Sequence, residues 1–343
     1  MNIIIDAMGG DHAPSEIVKG AAEASKIYES KLILVGNQPV VEKILKENDA
    51  VSTKIDIVHT DVVVTMEDDP ISVVRAKKES SMGVGLRMLK TDDADAMVSA
   101  GNTGALHAGS SLLVRPVKGV HRSGIATLLP FARPVLMMDC GANTNVTAEY
   151  LEQWAIMGSI YMKNVHHIES PAVGLLNNGT EEAKGTQVQI DAYQKLKALE
   201  NISFAGNVES REIPFGPCDV LVTDGFTGNI TLKLVEGMAK FLLGTLKSMY
   251  TKNTLTKMAY LMMKDQLKQL KSDFDASEYG GAPLLGLKKP VIKAHGSSDA
   301  RAICNAVRQA EAFVRTGVID QIGEAMAVYD KRAVKAEEND EQQ

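Results

Sequence analysis

Short β-branched and aliphatic runs recur along the chain. Each stops at a polar, glycine-containing stretch and gives way to a longer segment with apolar positions three and four apart. Residues 2–6 form the first run, which breaks at Met8-Gly9-Gly10-Asp11. A helical pattern follows, with Pro14 near its first turn and Ile17, Val18, Ala21 and Ala24 on one face. Residues 32–36 predict the next strand, about 40–46 a helix, and 55–58 a third strand. Strands alternating with helices at this spacing predict an α/β protein with a doubly wound, mostly parallel sheet. The strands are almost continuously apolar, as burial on both faces requires.

The alternation continues to the end of the chain. Residues 61–69 read as a loop, and Pro70 opens a helix through Lys78 that leads to a second at 82–89. Further helices are predicted at 103–113, 151–162, about 188–199, 230–250, 300–316 and 319–329. Further strands fall at 125–129, 135–139, 172–176, 202–204, 220–222 and 291–293. Residues 279–286, YGGAPLLG, read as a loop, and the acidic, polar 335–343 as a disordered tail. Residues 1–334 then form one large domain.

One design occurs twice. Residues 95–105, DAMVSAGNTGA, align without gaps on 219–229, DVLVTDGFTGN. Each is a buried strand ending in a G-x-T-G loop at the mouth of a helix, a place where α/β proteins hold anions. The two loops are expected to form paired walls of one site, with Asn102, Thr103 and Gly104 on one wall and Asp224, Thr227 and Gly228 on the other. Polar loops also follow strands around Asp11, Asn143, Lys184 and His295. In a parallel sheet all of these would lie along one edge.

Composition narrows the chemistry. A net charge of −6 gives no global attraction to nucleic acid or an anionic membrane. Cys140, Cys218 and Cys304 lie far apart without metal-type spacing, fit a reducing cytoplasmic setting, and read as small buried residues. The N-terminus lacks the basic and apolar regions of a signal peptide, and no apolar run is long enough to span a bilayer. No G-x-G-x-x-G follows the first strand, and neither a G-x-x-x-x-G-K-S/T loop nor a G-x-S-x-G elbow is present. Backbone donors, amides, hydroxyls and lysines remain, a set suited to anion binding and carbonyl polarisation.

Taken together, IDAMGGD (5–11 with Ile4), SAGNTGAL (99–106), DCGAN (139–143), EEAKG (181–185), VTDGFTGN (222–229), YGGAPLLG (279–286) and HGSSDARA (295–302) resemble the PlsX-type phosphate acyltransferases of bacterial phospholipid synthesis. The resemblance runs from Met1 to about Tyr329; Asn178 is its one small departure. It implies a three-layer α/β/α sandwich of two related halves, similar to phosphotransacetylases and isocitrate dehydrogenase-like folds. It implies attack of inorganic phosphate on the thioester of a fatty acyl group carried by acyl carrier protein, and an acyl phosphate product for a membrane glycerol-phosphate acyltransferase. It requires neither metal nor organic cofactor.

The family's lysine in EEAKG matches Lys184, and its asparagine in GFTGN matches Asn229. Lys184 would hold phosphate or the developing oxyanion, and Asn229 would donate to the same centre. Asn102, Thr103, Asn143, Thr227 and His295 follow as substrate-binding candidates. His295 either protonates the leaving thiolate or caps the last helix. Residues 245–275 mix methionine and leucine with lysine, among them Leu255, Lys257, Met258 and Met262. This segment reads as an ordinary dimer helix pair or as a surface for membrane or carrier protein. The family's homodimeric, peripherally membrane-associated members favour the second reading and a cytoplasmic location at the inner face of the membrane. A coenzyme A-dependent short-chain phosphotransacetylase and a non-catalytic lipid-synthesis scaffold are the alternatives.

Overall fold

Side chains on a strand alternate between its faces, and here both faces are apolar. Ile3, Ile5, Leu32, Leu34, Val98, Leu136, Met138, Val220 and Val222 belong to one buried cluster, packed with Trp154, Tyr161, Ile303 and Phe313. Ile4, Ile33, Val35, Met97, Val135, Met137 and Leu221 belong to another, packed with Met82, Leu86 and Leu106. Helices therefore cover the sheet on both sides, giving the expected three layers. The computed structural model describes residues 1–50, 54–131, 133–267 and 278–340, without side-chain surroundings for 333–340.

The strands are β1 (Asn2–Asp6), β2 (Lys31–Gly36), β3 (Ile55–His59), β4 (Ala96–Ser99), β5 (Gly124–Leu129), β6 (Val135–Met138), β7 (Ala172–Asn177), β8 (Ser203–Glu209), β9 (Val220–Val222), β10 (Ala282–Leu285) and β11 (Val291–Lys293). They form one sheet in the order β3-β2-β1-β4-β11-β10-β5-β6-β9-β7-β8. The helices are α1 (Ser15–Ile27), α2 (Gln38–Glu47), α3 (Ser81–Lys90), α4 (Thr103–Gly109), α5 (Ala148–His166), α6 (Gln187–Lys197), α7 (Gly225–Thr251), α8 (Thr254–Met262), α9 (Ala300–Arg315) and α10 (Val318–Asp340). A 3-10 turn at Pro70–Val74 takes the place of the expected first helix there, and α4 ends in a wider π turn at Ser110–Val114.

The sheet is not parallel throughout. Pairing is antiparallel between β11 and β10, β10 and β5, and β5 and β6, and parallel elsewhere. These three reversals send β6, β7, β8 and β9 opposite to β1, β2, β3, β4 and β11. The expectation that all strand-end loops share one edge is corrected accordingly. For β5 and β6 the physical cause is the short link 130–134, which can join them only as an antiparallel hairpin.

Two further expectations change. Residues 282–285 form strand β10 rather than loop, although the segment contains Pro283. Its pairing is divided: Ala282 and Pro283 face β11, whereas Leu284 and Leu285 face β5. Proline is tolerated where few ladder bonds are required of it. The last helix, α10, continues past Lys335 to Asp340, because its alanine, glutamate and lysine residues favour helix even without an apolar anchor. Residues 268–275 of the amphipathic segment and 341–343 of the expected tail lie outside the described residues.

Candidate active site

The two aligned units fold by the same device up to a point. Asp95 accepts the backbone N–H of Asn2 at 2.7 Å, and Asp219 accepts that of Ala172 at 2.8 Å. Each aspartate thus ties the start of its strand, β4 or β9, to the neighbouring strand. Asp219 also takes Arg133 Nη2 at 2.7 Å, anchoring the hairpin link.

The units then diverge at one residue. Asp224 has an acceptor side chain, so it caps α7 through the Thr227 N–H at 2.8 Å, and the helix starts at Gly225. The equivalent residue is Ala100, which has none. The cap falls instead to Asn102, whose Oδ1 accepts from Ala105 at 3.0 Å, and α4 starts later.

This difference decides which asparagine is available for chemistry. The Asn102 amide donates to the carbonyls of Thr65 and Met66 at 3.1 and 3.2 Å, so both ends of its side chain are committed to the fold. Asn143 is committed as well, donating to Ser123 O at 2.9 Å and to Asp139 Oδ2 at 3.0 Å. Asn229 differs. It lies in the second turn of α7, half-buried, with its amide lying over Gly141. No hydrogen bond engages that amide among the described residues.

Three adjacent strands deliver the rest of this neighbourhood. Val222 of β9 lies beside Met138 of β6 and Leu175 of β7. The loops after β6 (139–143), β9 (223–224, opening α7) and β7 (178–186) therefore leave on the same edge. The last carries Lys184. Its turn needs glycine at 185, where φ is +96° and a Cβ would meet Asn177 Oδ1 at 2.7 Å. Lys184 is exposed and, among the described residues, pairs with no carboxylate. Neighbouring Glu182 is engaged elsewhere, by Lys197 at 2.7 Å, and that hydrogen bond lowers its pKa.

Asp139 holds the wall behind Asn229. Its buried carboxylate accepts from the N–H groups of Ile125 (2.9 Å), Gly141 (3.3 Å), Ala142 (3.1 Å) and Asn143 (2.6 Å). Burial pushes its pKa up, and these donors oppose that shift. Because they are all N–H groups, the charged carboxylate is the form they fit. Its backbone carbonyl occupies the space a Cβ of Gly228 would need, and its Oδ2 lies 2.7 Å from where one on Gly225 would sit. Glycine at both positions lets the start of α7 seat directly on this loop.

The remaining candidates lie elsewhere. Asn102, Thr103 and Gly104 sit against the strap carrying Thr65, Met66 and Pro70. His295 pairs through Nδ1 with Ser297 Oγ at 2.9 Å, and its loop meets Asp11, whose N–H donates to Gly296 O at 2.7 Å. Asp299, not His295, caps α9. In this region Lys293 donates to Ala100 O at 3.5 Å, and burial lowers its pKa to about 8 against the pull of Asp11 and Asp6. The two G-x-T-G loops thus do not stand side by side. The connection between them is α4, whose His107 reaches Ser123, the acceptor of Asn143. Cys140 and Cys218 are buried with thiol pKa values pushed up to about 12, which keeps them protonated and unreactive.

Comparison with known proteins now decides the family. Residues 1–321 match the family described as Fatty acid synthesis protein. The phosphate acyltransferase of Alkaliphilus oremlandii is 48% identical over 328 residues, covering 95% of this chain and 98% of the relative. The chain belongs to the PlsX-type phosphate acyltransferase family. It is therefore an acyltransferase of fatty acid synthesis. Its fold is similar to a phosphotransacetylase from Streptococcus pyogenes (TM-score 0.62, 18% identity, 91% of this chain and 94% of that one). It is also similar to the EutD phosphotransacetylase of Staphylococcus aureus (TM-score 0.57, 15% identity, 93% of each chain). Among the described residues, no helix is long and apolar enough to cross a membrane, and no cluster of His, Cys, Asp or Glu could hold a metal ion.

Proposed function

We propose that this enzyme transfers a long-chain fatty acyl group from acyl carrier protein to inorganic phosphate by direct attack of phosphate on the thioester. One observation carries the placement of the reaction. Of the candidate side chains, Lys184 and Asn229 emerge on one edge with their polar groups uncommitted, whereas Asn102, Asn143 and Asp224 build the loops. Phosphate is already a competent nucleophile, so the enzyme's task is to position it and stabilise the tetrahedral oxyanion. Lys184 supplies a mobile point charge for phosphate or that oxyanion. The Asn229 amide, backed by Gly141, donates a hydrogen bond to the same centre. Asn143, Asp224, Thr227 and Gly228 form the supporting wall.

The donor class is tested by comparing palmitoyl-loaded carrier protein with acetyl-coenzyme A at fixed phosphate. The carrier-bound substrate is expected to turn over at least tenfold faster, a ~1.4 kcal/mol preference. Preference for acetyl-coenzyme A would assign the chain to short-chain chemistry instead.

The helices beyond Asn229 support a partner-bound setting. Along α7 only Gly225 and Gly228 are buried, while Phe226, Ile230, Leu234 (64% exposed), Met238 and Phe241 form an exposed stripe. A stripe this long is the mark of an association face, and a second copy of the chain is the proposed occupant. No residue of α8 is buried. Leu255 (77% exposed), Met258 and Met262 (84%) stand beside Lys252 and Lys257, a pattern suited to an anionic membrane surface. Replacing Leu255, Met258 and Met262 with glutamine is expected to abolish co-sedimentation with anionic liposomes while leaving a two-chain species in sedimentation equilibrium. Unchanged liposome binding would remove α8 as the anchor, and a one-chain species in the wild type would remove the dimer.

A further inference from the structure

We propose that His107 is a positioning residue for the acyl transfer, fixing through Ser123 the wall on which Asn229 rests. The inference depends on the assignment of Asn229 above. His107 lies on α4, the helix of the first G-x-T-G unit, yet its ring reaches Ser123, which bonds to the loop that packs on the second unit. Its Nε2 is 3.3 Å from both the carbonyl and the hydroxyl of Ser123, the residue before β5. That carbonyl also accepts the Asn143 amide at 2.9 Å, and Asn143 in turn donates to Asp139 Oδ2. The Asn143 carbonyl accepts the Gly225 N–H at 2.7 Å, at the first residue of α7. A continuous hydrogen-bonded path therefore runs from α4 to the first turn of α7, the helix that carries Asn229 in its second turn.

Ser123 offers the neutral ring a partner in either tautomer: with hydrogen on Nε2 the ring donates to the carbonyl, and without it Nε2 accepts from the hydroxyl. Burial favours the neutral ring and lowers the pKa; the Ser123 carbonyl hydrogen bond and Asp139 oppose that shift, and Arg122 acts with it. Among the described residues, Asp139 and Arg122 are the charged groups that act on the ring. Because the folded-state pKa is depressed, the contribution of His107 is present above the ordinary histidine value and is lost as pH falls through the depressed one. Protonation then places a charge on a ring whose burial disfavours one.

The test compares His107→Leu, which has no donor, with His107→Gln, whose amide nitrogen reaches the Nε2 position. His107→Leu is expected to lower kcat about tenfold or more with KM for palmitoyl-loaded carrier protein changed less than about threefold, because misplacement of a catalytic amide acts on the transition state. His107→Gln is expected to restore kcat to within about threefold of wild type and to remove the fall in kcat expected of the wild type as pH drops below the ordinary histidine range. Wild-type kcat in the leucine variant would overturn the proposal. So would an acid limb unchanged in the glutamine variant, a readout that stands even if the leucine variant does not fold. Should Asn229→Ala itself retain full activity, the site assignment fails first, and that outcome is distinct from either of these.

Discussion

Lys184→Ala and Asn229→Ala are each expected to lower kcat for acyl phosphate formation by about 100-fold or more, the usual effect of removing one oxyanion donor. Neither change should disturb the fold. Lys184 is exposed and unpaired among the described residues, so its removal leaves no buried partner unsatisfied. The Asn229 side chain makes no hydrogen bond among the described residues, so truncation forfeits its contact with Gly141. Thermal unfolding midpoints within about 1 °C of wild type are therefore expected, corresponding to under about 1 kcal/mol. The double variant should be little worse than the more impaired single one, because groups acting on one transition-state centre are not additive. Full activity in both folded single variants would place the reaction elsewhere.

Asp139→Ala is expected to have the largest effect on stability, about 3–5 kcal/mol, the cost of removing the buried partner of strongly bound groups. The N–H groups of Ile125, Gly141, Ala142 and Asn143 would lose their acceptor together. Asp139→Asn is no rescue. An asparagine presents one oxygen where the carboxylate presents two, and its NH2 would face existing donors. Denaturant unfolding should show both variants well below wild type, with activity lost in parallel because Gly225 and Gly228 seat on this loop. A midpoint within experimental error of wild type for Asp139→Ala would contradict the role assigned to this carboxylate.

How far the sequence revealed all this varied with the physics involved. Buried strands were legible because both of their faces are apolar, and α/β alternation followed from their spacing. The reversal of the sheet at β5–β6 was less legible, since two apolar runs joined by 130–134 do not state their direction; hairpin geometry does. Strand β10 was hidden by Gly280, Gly281, Pro283 and Gly286, which read locally as a turn, and only its divided pairing makes it a strand. At the site, Lys184 and Asn229 were found through the family's motifs, not through geometry. Nothing local separates Asn102 and Asn143 from Asn229. Asn102 is taken up by a helix cap because Ala100 cannot serve where Asp224 does in the other unit, and Asn143 by its bonds to Ser123 and Asp139. His107 gave no signal, because its partner Ser123 lies beyond the end of its own helix and is brought to it only by the packed sheet.

The central claim is that phosphate itself attacks the thioester at the Lys184–Asn229 edge. It is tested most directly by following wild-type enzyme with palmitoyl-loaded carrier protein and isotopically labelled phosphate, measuring free carrier thiol and the mass of the acyl phosphate together. Thiol release is expected to require phosphate, with one acyl phosphate for each thiol and every labelled phosphate oxygen retained in the product. Thiol release without phosphate, or an acyl phosphate that has exchanged one labelled oxygen for an unlabelled one, would contradict it.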